Sequence, residues 1–204
     1  MNFFSLDSPF HKYGTMVFDM VLLNFLWLFT SVLSFGILFP LASAGLFHGI
    51  YQVVILEDGY ILKTYFSVFK KKILRSLGLT MMTFLLYGLA LLNIWSVWSG
   101  YIDIIFLLPI YIFLLFETMI TLTFSYALLG ETEMSLKQLM KYGFLLANKH
   151  LVASLICVIA IVALIVATAF SILTLFFLVA PAYWLMTIVI HKGVLTKYHL
   201  DKLI

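Results

Sequence analysis

Long apolar runs dominate the chain and are separated by short polar segments. Five of them are long enough to cross a bilayer as helices, since about 20 apolar residues cover its hydrocarbon core. These runs are residues 16–39, 73–98, 104–129, 151–170 and 172–191. They are unbroken, whereas the strands of a membrane barrel alternate apolar and polar residues. The pattern predicts an all-α, polytopic transmembrane helical bundle that forms a single integral membrane domain over residues 1–204.

A sixth apolar stretch, residues 41–56, is only 16 residues long and therefore marginal for a membrane crossing. It follows Pro40, a residue that suits the first turn of a helix and ends the helix before it. Gly45 and Gly49 give it the G-x-x-x-G spacing of closely packed membrane helices. The sequence thus predicts five or six spans, of which the second helix is short.

The basic residues predict the orientation, because short loops rich in Lys and Arg stay in the cytoplasm. Eleven of the twelve lie in the segments that follow the first, third and last long runs, and the loops near residues 100 and 171 contain none. This distribution predicts a cytoplasmic C-terminus. Lys12 joins the other eleven if residues 41–56 cross the membrane and lies outside if they do not, so the charge rule favours six spans.

Two of these basic segments have the pattern of amphipathic helices lying at the cytoplasmic interface. In residues 62–73 and again in residues 136–148, apolar side chains fall on one helical face and Lys side chains fall opposite. Asp58 is placed to cap the first helix, and Ser135 with Gln138 forms an S-x-x-Q capping box at the start of the second.

The recurrence of a span, an amphipathic helix and a span predicts an internal duplication. The repeats would be residues 16–98 and 104–170, followed by a final span at 172–191. Duplicated halves are common in membrane proteins.

Polar residues inside the predicted spans are candidate functional positions, because each is costly to keep in hydrocarbon. Glu117 lies near the middle of the third span, and Thr121 and Ser125 continue its face. His48 and Gln52 share a face of the short helix. We predict a candidate intramembrane polar site from these five residues. The alternative is that Glu117 is a neutral, hydrogen-bonded carboxyl that fixes helix packing.

Two asparagines, Asn24 and Asn93, lie in the first and second long spans. Their amides can bridge helices through hydrogen bonds. We predict this packing role for both.

Other chemistry is not indicated by the sequence. It contains no G-x-S-x-G, H-E-x-x-H or phosphate-loop motif and only one Cys, so we expect no enzyme activity, no cofactor and no metal. We expect no nucleic-acid partner either. The basic residues Lys70, Lys71, Lys72 and Arg75 suit contact with anionic lipid headgroups, so membrane lipids are the first expected partner.

Three stretches of the chain resemble the YesL family of small bacterial membrane proteins. They are "LNFLWLF" at 23–29, "FPLASAGLFHGI" at 39–50 and "EDGYILKTYFSVFKK" at 57–71. The resemblance rests on Asn24, Trp27, Pro40, Glu57, Asp58, Gly59, Phe69 and Lys70. It covers about the first 75 residues well, and the remainder is similar mainly in hydropathy and length. After Pro40 the chain departs from the family's usual Pro-Ala-Thr-Ala.

The resemblance implies a multi-pass protein of the bacterial cytoplasmic membrane, whose family is largely without an assigned function. It implies a non-enzymatic accessory or regulatory role in carbohydrate uptake or utilisation, with a carbohydrate transporter or another membrane protein as partner. The residues themselves leave a second hypothesis, a small transporter with a mid-membrane site around Glu117.

Overall fold

A computed structural model describes residues 9–99 and 105–198, which are almost entirely helical and contain no strand. The α-helices are α1 Pro9–Leu33, α2 Phe39–Gly49, α3 Ile61–Trp98, α4 Leu108–Glu131, α5 Leu136–Lys149, α6 Leu151–Phe170 and α7 Leu175–Gly193. A π-helical segment, Ile50–Ile55, extends α2, and 3₁₀ turns occupy Ile105–Leu107, Ile172–Thr174 and Leu195–Tyr198. Predictions for residues 1–8, 100–104 and 199–204 lie outside the described residues, as does the side chain of Lys71.

Five helices are long and apolar enough to cross a membrane, as predicted. They are Lys12–Leu33, Lys72–Trp98, Leu108–Glu131, Leu151–Phe170 and Ile172–Tyr198. The sixth apolar stretch forms a shorter helix, Phe39–Ile55, which comprises α2 and its π-helical extension. The all-helical fold class is confirmed, and the chain has the character of a membrane protein.

Helix α2 lies at the centre of the bundle. It packs against α1, α3 and α4, and every residue from 40 to 47 is buried. The C-terminal half of α4, Ile120–Glu131, is equally buried. Pro40 lies in the first turn of α2. The N–H groups of a first turn have no acceptor within the helix, so a proline there costs no hydrogen bond. The core of the protein is therefore built around a helix that is too short to be a typical span.

The two glycines of the G-x-x-x-G pattern face two different helices. Gly45 contacts the ring of Tyr65 on α3, where an added Cβ would lie 3.1 Å from the ring. Gly49 contacts Leu23 on α1, where an added Cβ would lie 2.6 Å from a methyl carbon. The pair lets α2 fit between two neighbours at once.

The start of α3 differs from the prediction. The N-cap position is Tyr60, without a side-chain cap, and Asp58 is exposed. Glu57 and Gly59 have φ angles of 57° and 91°, so the chain turns through left-handed conformations before the helix begins. Asp58 is thus too far from the first helical turn to cap it, and the capping prediction is wrong.

The first predicted amphipathic segment and the second span form one continuous helix of 38 residues, α3. The start of α5 agrees with the prediction, since the Ser135–Gln138 capping box is present and the Ser135 N–H donates to Gln138 Oε1 at 2.9 Å. The interfacial placement of both amphipathic segments and the internal duplication stay predictions.

Candidate functional site

Four ionisable side chains from four helices meet in the buried interior. We call this set the charged cluster: His48 of α2, Lys72 of α3, Glu131 of α4 and His191 of α7. His48 Nδ1 lies 3.2 Å and His191 Nε2 lies 3.7 Å from Glu131 Oε1. The ring of Tyr51 stacks on His191 with 4.0 Å between ring centroids. The cluster therefore joins four distant parts of the chain around one carboxylate.

Two basic side chains balance the two acidic groups at this end of α4. Lys72 Nζ donates to the Gly130 carbonyl at 2.8 Å and lies 4.0 Å from Glu133 Oε1. Arg75 donates to Glu133 Oε2. A cation beside the last carbonyls of a helix also opposes the negative end of the helix dipole. The local charge can therefore be zero with both imidazoles neutral.

Glu131 is, together with His191, one of the two most enclosed members of the charged cluster. Its side chain is 1% exposed, and its Oε2 forms no hydrogen bond within the described residues. His48 retains 14% exposure and is the more accessible of the two imidazoles. A carboxylate within hydrogen-bonding reach of an imidazole can bind and pass on a proton. No group of three or more His, Cys, Asp or Glu side chains among the described residues could hold a metal ion.

The predicted polar site around Glu117 is not a single site. The amide of Asn148 on α5 donates to Glu117 Oε1. Ser125 is buried against α5, and its Oγ donates to the Leu139 carbonyl at 3.1 Å. Because Glu117 and Glu131 are 14 residues apart on α4, about 21 Å at 1.5 Å per residue, His48 cannot contact both. The polar stripe on α4 is thus a contact face for α5.

Of the remaining residues of that prediction, Thr121 lies one turn from Glu117 on α4, and Gln52 lies on another helical segment. Thr121 is buried beside Ser125, and its carbonyl accepts the Ser125 hydroxyl at 2.8 Å. Gln52 lies in the π-helical segment, half-buried, with its carbonyl accepting the Asp58 N–H at 2.9 Å. His48 alone joins the charged cluster.

The described side chains of the basic run in α3 have different surroundings. Lys70 is exposed, but Lys72 is buried and bonded to Gly130, and Arg75 binds Glu133. The prediction is therefore wrong for Lys72, because its ammonium group is turned into the protein.

A groove opens beside α5 at the same end of α4. Its volume is about 850 Å³, and it lies among Glu133, Gln138, Tyr142, Leu145, Lys149 and Tyr198. Lys149 Nζ lies 5.0 Å from the centroid of the Tyr198 ring. Tyr198 also shares a 3.1 Å hydrogen bond with His150, whose pKa is lowered by partial burial and by the nearby charges of Lys197 and Lys149. The groove thus offers aromatic, cationic and anionic contacts together.

Asn24 holds α1 against α7. Its Nδ2 donates to the carbonyls of Leu175 and Phe176, and its Oδ1 accepts the Ala180 N–H, all at 2.8 Å. Pro181 follows directly in α7 and has no N–H to donate to the helix ladder. The buried amide therefore supports α7 next to the point where its own hydrogen bonding is interrupted, which confirms the predicted bridging role.

Trp27 and Pro40, two further residues of the family resemblance, also lie where helices pack together. Trp27 Nε1 donates to Ser43 Oγ at 3.2 Å, and the hydroxyl of Tyr183 donates to the same oxygen at 2.9 Å. Ser43 thus links α1, α2 and α7 one turn after Pro40. Phe69 packs beside Tyr65, with 5.4 Å between ring centroids. The residues that carry the family resemblance lie mainly in helix contacts and in the turn before α3.

The helices and the buried cluster define a helical protein with the character of a membrane protein. A family model described as "Protein of unknown function, DUF624" matches residues 20–94. The YesL-like stretches at 23–29, 39–50 and 57–71 all fall within this match, although the match itself does not carry the YesL name. No curated protein and no solved structure matches the chain.

Proposed function

We propose that the chain is a multi-pass protein of the bacterial cytoplasmic membrane with a cytoplasmic C-terminus. It acts, without catalysis of its own, as an accessory or regulatory partner in carbohydrate uptake or utilisation. The YesL resemblance motivates the carbohydrate link, and the five apolar helices support the membrane setting. Asn24 and Trp27 lie in contacts between helices, which supports the interpretation that the family-signature residues maintain the fold and do not form a reaction site.

The groove beside α5 is the observation that carries this proposal. It lies at the end of α4 where Lys72 and Arg75 gather, the side that the charge rule assigns to the cytoplasm. Tyr142 and Leu145 are 38% and 47% exposed at its wall, and aromatic anchors with apolar neighbours are typical of protein contact sites. A cytoplasmic segment of a transporter subunit is the partner we assign to it.

Affinity purification of the full-length protein from native membranes in mild detergent tests this role. We expect stoichiometric recovery of a carbohydrate-transporter component, and at least a tenfold loss of it in the double variant Tyr142→Ala, Leu145→Ala. The matched control is Phe113→Ala, Leu114→Ala, which removes exposed apolar side chains from α4 away from the groove. Recovery of no stoichiometric partner, or equal recovery with both variants, would reject the proposal.

The charged cluster favours a second candidate function, a small proton-coupled transporter. A carboxylate enclosed by two imidazoles is costly to bury unless it serves to bind charge. The site is centred on Glu131 and differs from the site first predicted around Glu117.

A flux measurement in proteoliposomes tests the transporter candidate. On addition of a transported sugar, a pH-sensitive dye inside the vesicles should report proton uptake with the wild-type protein and none with Glu131→Gln. Glu117→Gln, which alters a carboxyl bonded to Asn148, should keep the flux. Absence of sugar-linked proton movement in the wild type, or an unchanged flux with Glu131→Gln, would exclude this function.

A further inference from the structure

A second cavity, of about 690 Å³, lies between the first half of α1 and the segment that joins α2 to α3. One of its walls is a single face of α1, where Lys12, Thr15 and Asp19 recur at the i, i+3 and i+7 spacing of a helix. The π-helical segment and the turn before α3 form the facing wall and contribute Val54 and Glu57. The volume is within the range of about 300 to 1,000 Å³ that is usual for small-ligand sites.

Asp19 lies in an apolar part of α1. It is the single Asp, Glu, Lys or Arg between residues 13 and 56. The two residues before it, Val17 and Phe18, are 59% and 61% exposed, on a helix that is apolar enough to cross a membrane. Such exposure of large apolar side chains indicates contact with lipid. A charged side chain is costly in these surroundings and is a candidate functional residue for that reason.

The Asp19 carboxylate forms no hydrogen bond or ion pair with another described residue. Lys12 lies on the same face, but it forms an ion pair with Glu57 and is seven residues away, about 10 Å along the helix axis. Because that pair is neutral as a whole, the described lining of the cavity retains one negative charge. An ionised carboxylate in apolar surroundings needs a cation beside it, and the cavity provides the space for one.

The other lining residues are suited to the organic part of such a cation. Met16, Val53 and Val54 form apolar walls. Tyr13 and Tyr60 also line the cavity and are 69% and 80% exposed, which places their rings at its mouth. Aromatic faces attract ammonium groups through cation–π interactions. The π-helical segment behind Val53 and Val54 is a further indication, because such segments are rare and occur frequently at functional sites.

We propose that this cavity binds an organic ammonium ion, with the Asp19 carboxylate as its counter-ion. The ammonium group contacts Asp19, and the apolar part of the ligand packs against Met16 and the π-helical wall. A bare inorganic cation would leave most of the volume and the apolar walls without contact. The cavity is separate from the groove beside α5 and from the charged cluster, so the proposal holds whether or not either proposed function is correct.

Isothermal titration calorimetry of the full-length protein in detergent, with benzyltrimethylammonium as the probe, tests the site. We expect saturable binding of one probe per chain and at least a tenfold loss of affinity in Asp19→Asn. The matched control is Asp58→Asn, which removes the same charge from an exposed residue of the neighbouring turn and should change the affinity less than twofold. Benzyl alcohol, a neutral compound with the same ring, should bind at least tenfold more weakly. Absence of saturable binding, or equal affinity of the wild type and Asp19→Asn, would overturn the proposal.

A second measurement keeps Asp19 in place and therefore does not depend on the folding of Asp19→Asn. In the background Cys157→Ala, the thiol of Thr15→Cys lines the cavity, and its reaction with a cationic methanethiosulfonate reagent should be slowed several-fold by benzyltrimethylammonium. Ser67→Cys, at an exposed position of α3 that does not line the cavity, is the control and should react at an unchanged rate. Equal rates with and without the probe at Thr15→Cys would contradict binding in the cavity.

The ammonium group can come from a free amine in solution or from the amine headgroup of a lipid. Native mass spectrometry of the protein from micelles with equal amounts of phosphatidylethanolamine and phosphatidylglycerol distinguishes these sources. Retention of phosphatidylethanolamine that is lost in Asp19→Asn would assign the site to the lipid headgroup. Equal retention in both proteins, with probe binding that still requires Asp19, would assign it to a soluble amine. If neither the lipid nor the probe depends on Asp19, the ammonium site is rejected.

Discussion

Replacement of Asn24 by leucine is expected to lower the free energy of unfolding by about 2 to 4 kcal/mol, since each buried polar group left unpaired costs about 1 to 3 kcal/mol. The variant keeps the branched shape and the number of heavy atoms of the side chain but removes three hydrogen bonds to α7. These bonds lie beside Pro181, where α7 already lacks one N–H. Denaturation in mixed micelles, followed by circular dichroism, measures the change.

Asn93→Leu is the matched control for this prediction. The Asn93 amide donates to the Leu89 carbonyl of its own helix, near the C-terminal end of α3. Its loss removes no hydrogen bond to another of the described helices, so the effect should stay within about 0.5 kcal/mol, as for most surface substitutions. Equal losses for both asparagines would show that Asn24 does not hold α7.

The two asparagines also show what sequence reasoning could reach. Both lie in apolar runs, and we predicted that both amides bridge helices, yet among the described residues only Asn24 of the two forms hydrogen bonds to another helix. The difference depends on which face of each helix meets a neighbour, and that is fixed by packing over long sequence distances. The long helices, the Pro40 start and the Ser135–Gln138 box could be predicted because each depends on residues within a few positions of one another.

The charged cluster could not be predicted for the same physical reason. His48 and Glu131 are 83 positions apart, and their contact depends on how α2 sits against the end of α4. Glu131 is also followed closely by Glu133, and charged side chains in such a segment are usually exposed. The one available signal was its place as the last residue of an apolar run. We predicted a polar site at Glu117 because it lies deeper in that run. In the structure its carboxylate accepts a hydrogen bond from Asn148 near the end of α5.

Replacement of Gly143 by alanine is expected to destabilise the α4–α5 contact by about 1 to 3 kcal/mol, the usual range for an overpacked core. An added Cβ would lie 2.2 Å from Ser125 Oγ and 2.8 Å from the Thr121 carbonyl oxygen. Neither atom can move freely, because Ser125 Oγ donates to the Leu139 carbonyl and the Thr121 carbonyl belongs to α4 itself. Thermal unfolding in detergent, together with the yield of monodisperse protein, measures the loss.

Gly88→Ala supplies the control with the opposite sign. Gly88 lies inside α3, and an added Cβ there would meet nothing within 4 Å. Alanine favours a helix over glycine by about 1 kcal/mol, so this variant should be neutral or slightly more stable. Adding Ser125→Ala to Gly143→Ala should recover part of the lost stability, because it removes the closest atom but leaves the Thr121 carbonyl. Equal stability of Gly143→Ala and Gly88→Ala would show that α5 does not pack this closely on α4.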